Sequence, residues 1–142
     1  MKIYDVSAPL YPGMPVYPGD PEFSCEQIPA GDAVISSLSL GTHTGTHIDA
    51  PAHYLSGAPG IDDIPLTQLI CRAGVTAVGC DMDSAGDTAV HKMLLENNTV
   101  IIENLCLESV PCGEYSMVAL PLKIVSADAA PARVVLLDTQ IE

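Results

Sequence analysis

Basic residues are scarce in this chain: Lys and Arg number 5 against 18 Asp and Glu, a formal charge of −13 over 142 residues. Phosphate backbones are gripped by clustered Lys and Arg, so nucleic acid is excluded as a partner. An anionic membrane surface is excluded by the same sign. Trp is absent and there is one Phe beside five Tyr, so the core has to be aliphatic. The cysteines, Cys25, Cys71, Cys80, Cys106 and Cys112, make no C-x-x-C pair and no regular framework, which reads as reduced thiols. No apolar run approaches bilayer length, and the opening Met1-Lys2-Ile3-Tyr4-Asp5-Val6 has no apolar signal region. The expected location is the cytoplasm.

What is present is a chain apolar enough to fold. Hydrophobic residues make up 48%, charged residues only 16%, and the mean hydropathy is +0.31. Burial on that scale offsets the ordering entropy, and the length suits one domain over residues 1–142. Gly and Pro punctuate the first half. Residues 3–10 read as a strand, and the Pro-rich segment 11–21 cannot continue it, because proline removes donors and fixes φ. Strands are expected at 23–28, 34–40, 75–80, 99–102, 115–125 and 134–137. Residues 66–73 read as a short helix stopped by Gly74, and 88–97 as the best helix, with Ala89, Met93 and Leu94 at helical spacing. Mixed strands with two or three helices predict an α/β or α+β layered fold with a mixed sheet.

The chemistry concentrates in Gly41-Thr42-His43-Thr44-Gly45-Thr46-His47-Ile48-Asp49-Ala50-Pro51-Ala52-His53, which holds three of the four histidines. In an extended segment His43, Gly45, His47 and Asp49 share one face until Pro51 alters the path. Full extension would put His43 and Asp49 roughly 20 Å apart, too far for one ion with ligand bonds of ~2 Å. The segment therefore has to curl, and Gly45 is where it bends at least cost. A lone histidine here would be a surface group, but crowded imidazoles and a carboxylate are costly to desolvate without a cation. That donor set suits Zn, Mn or Fe better than Ca or Mg.

The segment carries every fixed position of an H-x-G-T-H-x-D-x-P-x-H signature: His43, Gly45, Thr46, His47, Asp49, Pro51 and His53. It resembles the cyclase family of metal-dependent hydrolases, which includes bacterial kynurenine formamidase (arylformamidase) and isatin hydrolase. Similar flanks are the loop 15–21, the turn 60–66, the segments 78–81, 91–96 and 101–105, and the closing stretches 119–123 and 130–133. The resemblance implies a compact version of the family's swivelling β/β/α fold. It also implies one or two divalent ions, Zn or Mn: His43, His47 and Asp49 would hold the first, with Asp49 bridging to a second held by His91 and Glu103. Glu103 follows Val100-Ile101-Ile102, where a buried strand makes a lone carboxylate expensive. His53 is implied as the proton-transfer residue. Tyr17 is a candidate for stacking on a flat substrate, or else a turn aromatic at the core edge.

The implied reaction is hydrolysis of a formamide or cyclic amide in a small-molecule substrate. Typical members are longer, and a middle block between His53 and His91 is missing here, with the join near Cys71-Arg72. Edges left open by that loss are suited to self-association, so a homodimer or higher homo-oligomer is expected. The competing reading is a metal- or small-ligand-binding protein of the same fold with a degenerate pocket.

Overall fold

Short apolar runs bounded by Gly, Pro and Asn become strands in the computed structural model, which describes residues 1–72 and 76–139. The strands are β1 (Ile3–Asp5), β2 (Ser24–Ala30), β3 (Ala33–Ser39), β4 (His47–Asp49), β5 (Ile70–Arg72), β6 (Ala77–Gly79), β7 (Val100–Glu103), β8 (Ser116–Pro121) and β9 (Ala129–Leu137). Two α-helices join them, α1 (Leu66–Leu69) and α2 (Thr88–Glu96). The fold is mixed α+β. Seven strands form one mixed sheet in the order β5-β8-β9-β4-β7-β6, with β1 also paired to β9. Among the described residues only β6 and β7 run parallel; the other pairs in this sheet are antiparallel.

The short β4 lies at the centre. It is hydrogen-bonded on one side to β7, with His47 opposite Glu103 and Ile48 opposite Ile102, and on the other to β9, with Ile48 opposite Ala130. Alternation sends Ile48, Ile102 and Ala130 to one face, where they join Val6, Ala50, Ile61, Leu69, Val100, Met117, Ala119 and Val134 in an aliphatic core. The opposite face carries His47, Asp49 and Glu103, all buried. Helix α2 packs against β7 and buries His91 and Leu95, which are four residues apart on one side of the helix. Its start is fixed by Asp87, whose Oδ1 accepts from the amides of Ala89 and Val90.

Strands β2 and β3 stand apart as a two-stranded antiparallel hairpin. Every residue of both seven-residue strands is exposed, while Phe23 at the root is buried.

Several boundaries differ from expectation. The strand at 3–10 stops after Asp5; Pro9 lacks the ladder donor, and Ser7 makes only a single bridge to Leu105. The helix expected at 66–73 is one turn, and Ile70, Cys71 and Arg72 instead pair with Val118, Met117 and Ser116, so sheet pairing overrides helical propensity. Its expected end at Ala73, the Gly74 stop and the expected strand start at Val75 lie outside the described residues. The strand expected at 134–137 begins at Ala129, because the earlier half is claimed by β4. The strand expected at 115–125 closes at Pro121.

Ile48 is fully buried beneath the central strand. Ile48→Ala should lower unfolding free energy by about 2–5 kcal/mol in a denaturant titration. A loss under about 0.5 kcal/mol, the range of surface changes, would contradict this placement.

Candidate metal centre

Curling of the histidine segment happens where glycine allows it. Gly45 has φ +63, in the left-handed region, and a Cβ there would run into Leu10 Cδ2. The following threonine locks the bend: Thr46 Oγ1 donates to the Asn104 carbonyl at 2.6 Å and accepts from the Ala8 amide at 2.8 Å. After β4, Pro51 opens a single 3₁₀ turn (Pro51–His53) in which the His53 amide donates to the Ala50 carbonyl. That turn brings His53 back over His43, with ring centroids 4.3 Å apart.

His43 Nδ1 lies 3.2 Å from Asp49 Oδ1, in place of the 20 Å of an extended chain. His47 Nε2 is 3.4 Å from Asp49 Oδ1 and 3.4 Å from Glu103 Oε2. From α2, His91 Nε2 is 3.0 Å from Glu103 Oε1 and 3.6 Å from Asp49 Oδ2. Among the groups of possible ligands that result, His43/His47/Asp49 and Asp49/His91/Glu103 each have their ligand atoms within 4.8 Å of one another and share Asp49.

Two of these rings are aimed by the backbone. His47 Nδ1 donates to the Gly45 carbonyl at 2.8 Å, and His91 Nδ1 to the Asp87 carbonyl at 3.0 Å, so both present Nε2 to the carboxylates. Glu103 Oε1 also accepts from the Ala85 amide at 2.6 Å. By contrast, both Asp49 oxygens and His47 Nε2 are buried without any hydrogen-bond partner. Buried carboxylate oxygens facing imidazole nitrogens at ion-pair distance, with no donor of their own, are what a divalent cation satisfies. These residues therefore fit the metal that the sequence implies.

The electrostatics without an ion follow from the same crowding. Burial alone would lower the His47 pKa, but Asp49 and Glu103 outweigh it and push the value up to about 10. His43 is raised for the same reason, burial being outweighed by Asp49 and Asp128. Asp49 and Glu103 are lowered despite burial, the first by His43 and His47, the second by His47 and the Ala85 amide. His53 differs: burial outweighs the nearby carboxylates and holds its pKa below the ordinary histidine value.

The group opens into a cavity of about 730 Å³. Its floor includes His43, His47, His53 and Glu103, and its wall includes the Pro-rich loop through Tyr11, Met14 and Tyr17. Tyr17 is 59% exposed and lines that cavity. Tyr54 stands between the rings of His53 and His91, at 4.3 and 5.0 Å between centroids. Asp128 escaped the sequence reading: it lies outside the motif, yet its Oδ2 reaches His43 Nε2 at 3.0 Å and His53 Nδ1 at 3.3 Å. Its place at the head of the strand that pairs with β4 was the only available signal, and that pairing is not visible in sequence.

The model of the Cyclase family matches residues 4–103. The chain belongs to the Cyclase family. Kynurenine formamidase of Paracidovorax citrulli is 29% identical to this chain, the alignment covering 94% of this chain and 95% of that protein. The same enzyme of Maricaulis maris is 28% identical, over 95% and 97%. A solved structure described as a potential metal-dependent hydrolase with cyclase activity is 31% identical, has a TM-score of 0.83 and covers 99% of both chains. Isatin hydrolase A from Labrenzia aggregata, at 18% identity, 95% and 93% coverage and a TM-score of 0.83, shares the fold. This chain is an enzyme of the hydrolase kind. The first alignment runs over 206 positions against 142 residues here, so that relative carries intervening residues which this chain lacks.

Metal-free protein should show the charge arrangement directly. The raised His47 contributes stability that is fully present below 6.5, its ordinary value, and lost as pH rises through about 10. The depressed Asp49 contributes stability present above 3.8 and lost as pH falls. Chelator-treated protein should therefore unfold at lower urea at about pH 9 than at about pH 6, whereas zinc-loaded protein should show a smaller difference. Greater apo stability at the higher pH would contradict the paired imidazolium.

Proposed function

We propose that this protein hydrolyses a carbon–nitrogen bond other than a peptide bond, in a formamide or cyclic amide, with Zn or Mn as one or two bound ions. The observation that carries this reading is the buried, donor-free Asp49 carboxylate, shared by two ligand groups on the floor of a cavity that also exposes His53. His43, His47 and Asp49 would hold one ion; Asp49, His91 and Glu103 would hold a second. A divalent ion there supplies Lewis acidity and lowers the pKa of water from 15.7 toward about 7.

The chain's own residues supply the rest. His53 Nδ1 is bound to Asp128, which leaves Nε2 for proton transfer. A depressed pKa keeps this ring neutral at pH 7, ready to take a proton from the attacking water and return it to the leaving amine nitrogen. Water adds to the carbonyl carbon, the carbon–nitrogen bond breaks, and a carboxylic acid and an amine are released. Tyr17 supplies a flat apolar surface at the cavity wall for an aromatic substrate.

The oligomer belongs to the same proposal. The β2–β3 hairpin shows Ile28, Val34, Ile35 and Leu38 to solvent, and an isolated two-stranded ribbon is marginal in water. A second copy covering this arm would give a dimer. Among the described residues no helix is long and apolar enough to cross a membrane, and the cysteines are free thiols, which suits work in the cytoplasm.

Zinc-loaded protein should turn over N-formylkynurenine or a simple formanilide. His53→Ala should cut kcat by about 10²–10⁴-fold with metal content unchanged. Chelation should abolish turnover before it unfolds the chain. Bound metal with no turnover of any formamide or cyclic amide would favour the binding-protein reading. Light scattering should report a dimer at micromolar concentration that Leu38→Asp dissociates; a stable wild-type monomer would refute the hairpin contact.

A further inference from the structure

We propose that Asp128 is a positioning residue for this hydrolysis, one carboxylate that fixes the rings of both a metal ligand, His43, and the proton-transfer residue, His53. The inference rests on the reading given above. Three groups of ligand-type side chains meet at the centre, and the third is His43, His53 and Asp128. The first two contain the buried atoms that lack hydrogen-bond partners; the third does not. Asp128 Oδ2 faces His43 Nε2 at 3.0 Å and His53 Nδ1 at 3.3 Å, and Oδ1 accepts from Thr42 Oγ1 at 3.0 Å. Both of its oxygens are held by hydrogen bonds, and it contributes no atom to the two groups that contain the unpartnered Asp49 carboxylate, which suits an orienting role.

An ionised carboxylate can only accept, so the two ring nitrogens facing it carry their protons. That sets the business end of each ring. His43 presents Nδ1 toward Asp49, and His53, which lines the cavity, keeps Nε2 clear of the Asp128 carboxylate. His47 and His91 receive the same service from the carbonyls of Gly45 and Asp87. For His43 and His53, the acceptor is this side chain. The carboxylate is itself held in place, since the Asp128 carbonyl accepts from the Ala50 amide at 2.8 Å, tying the head of β9 to the residue after β4. A single oxygen thus spans the metal group and the proton-transfer group, across two rings only 4.3 Å apart.

The test compares zinc-loaded wild type with Asp128→Asn and Asp128→Ala. Turnover of a formanilide should fall about 10–100-fold in kcat with KM and zinc content nearly unchanged. Independently of turnover, nitrogen-15 NMR of the imidazoles should show His53 protonated at Nδ1 in wild type and shifted toward the Nε2 form in Asp128→Ala. Thr42→Val, which removes only the anchor on Oδ1, should fold as wild type and show a smaller loss of kcat, and it serves if the Ala variant does not fold. Loss of a zinc equivalent in Asp128→Asn would make Asp128 a ligand and overturn the proposal, as would unchanged kcat with an unchanged His53 tautomer. If wild type hydrolyses no amide, the functional reading fails, while the NMR comparison still decides the positioning role.

Discussion

The burial of Asp49 and Glu103 side by side in the middle of a β-sheet is the constraint around which this structure is organised. Two carboxylates removed from water are unfavourable unless positive charge comes with them. The chain places the imidazoles of His43 and His47 against the pair, and these carboxylates raise the pKa of both rings. The same rings would be ligands to a divalent ion. Ion binding there would be coupled to release of protons from these rings.

The sheet is what makes such burial possible. Strand β4 is only three residues long, yet it is paired on both sides, so none of its backbone competes for the donors that the site needs. One face of the strand is an aliphatic layer with Ile48 against Ile102 and Ala130, and the other is wholly polar. A one-residue slip would exchange these faces and bury Ile48 in the metal centre. Gly45 and Thr46 guard against that slip, one by a backbone shape that other residues adopt at a cost, the other by bonding two separate segments at once.

Much of the centre was legible in sequence because local spacing carries it. The motif from His43 to His53 announces itself through residue types packed within one short segment, and the need for a bend at Gly45 follows from bond lengths alone. His91 needed the family resemblance, since a helix histidine carries no local mark, whereas Glu103 had one local sign, its place at the end of the apolar run Val100-Ile101-Ile102. Asp128 was invisible for a further reason: its role depends on β9 lying beside β4, a contact spanning about eighty positions with no pattern to encode it. The same kind of long-range pairing explains the fold differences. Ile70 to Arg72 reads as helix locally and becomes strand because β8 offers an unpaired edge, and β9 starts early because β4 needs a partner on that side.

The position of β9 in the chain has a consequence for biosynthesis. It is the last strand of the described residues to leave the ribosome, yet it pairs with β1, β4 and β8, the earliest, the central and the penultimate strands. Until it emerges, β4 has an open edge and the acids of the centre are only partly enclosed. During synthesis the incomplete sheet therefore exposes the pairing groups of β4 until β9 arrives.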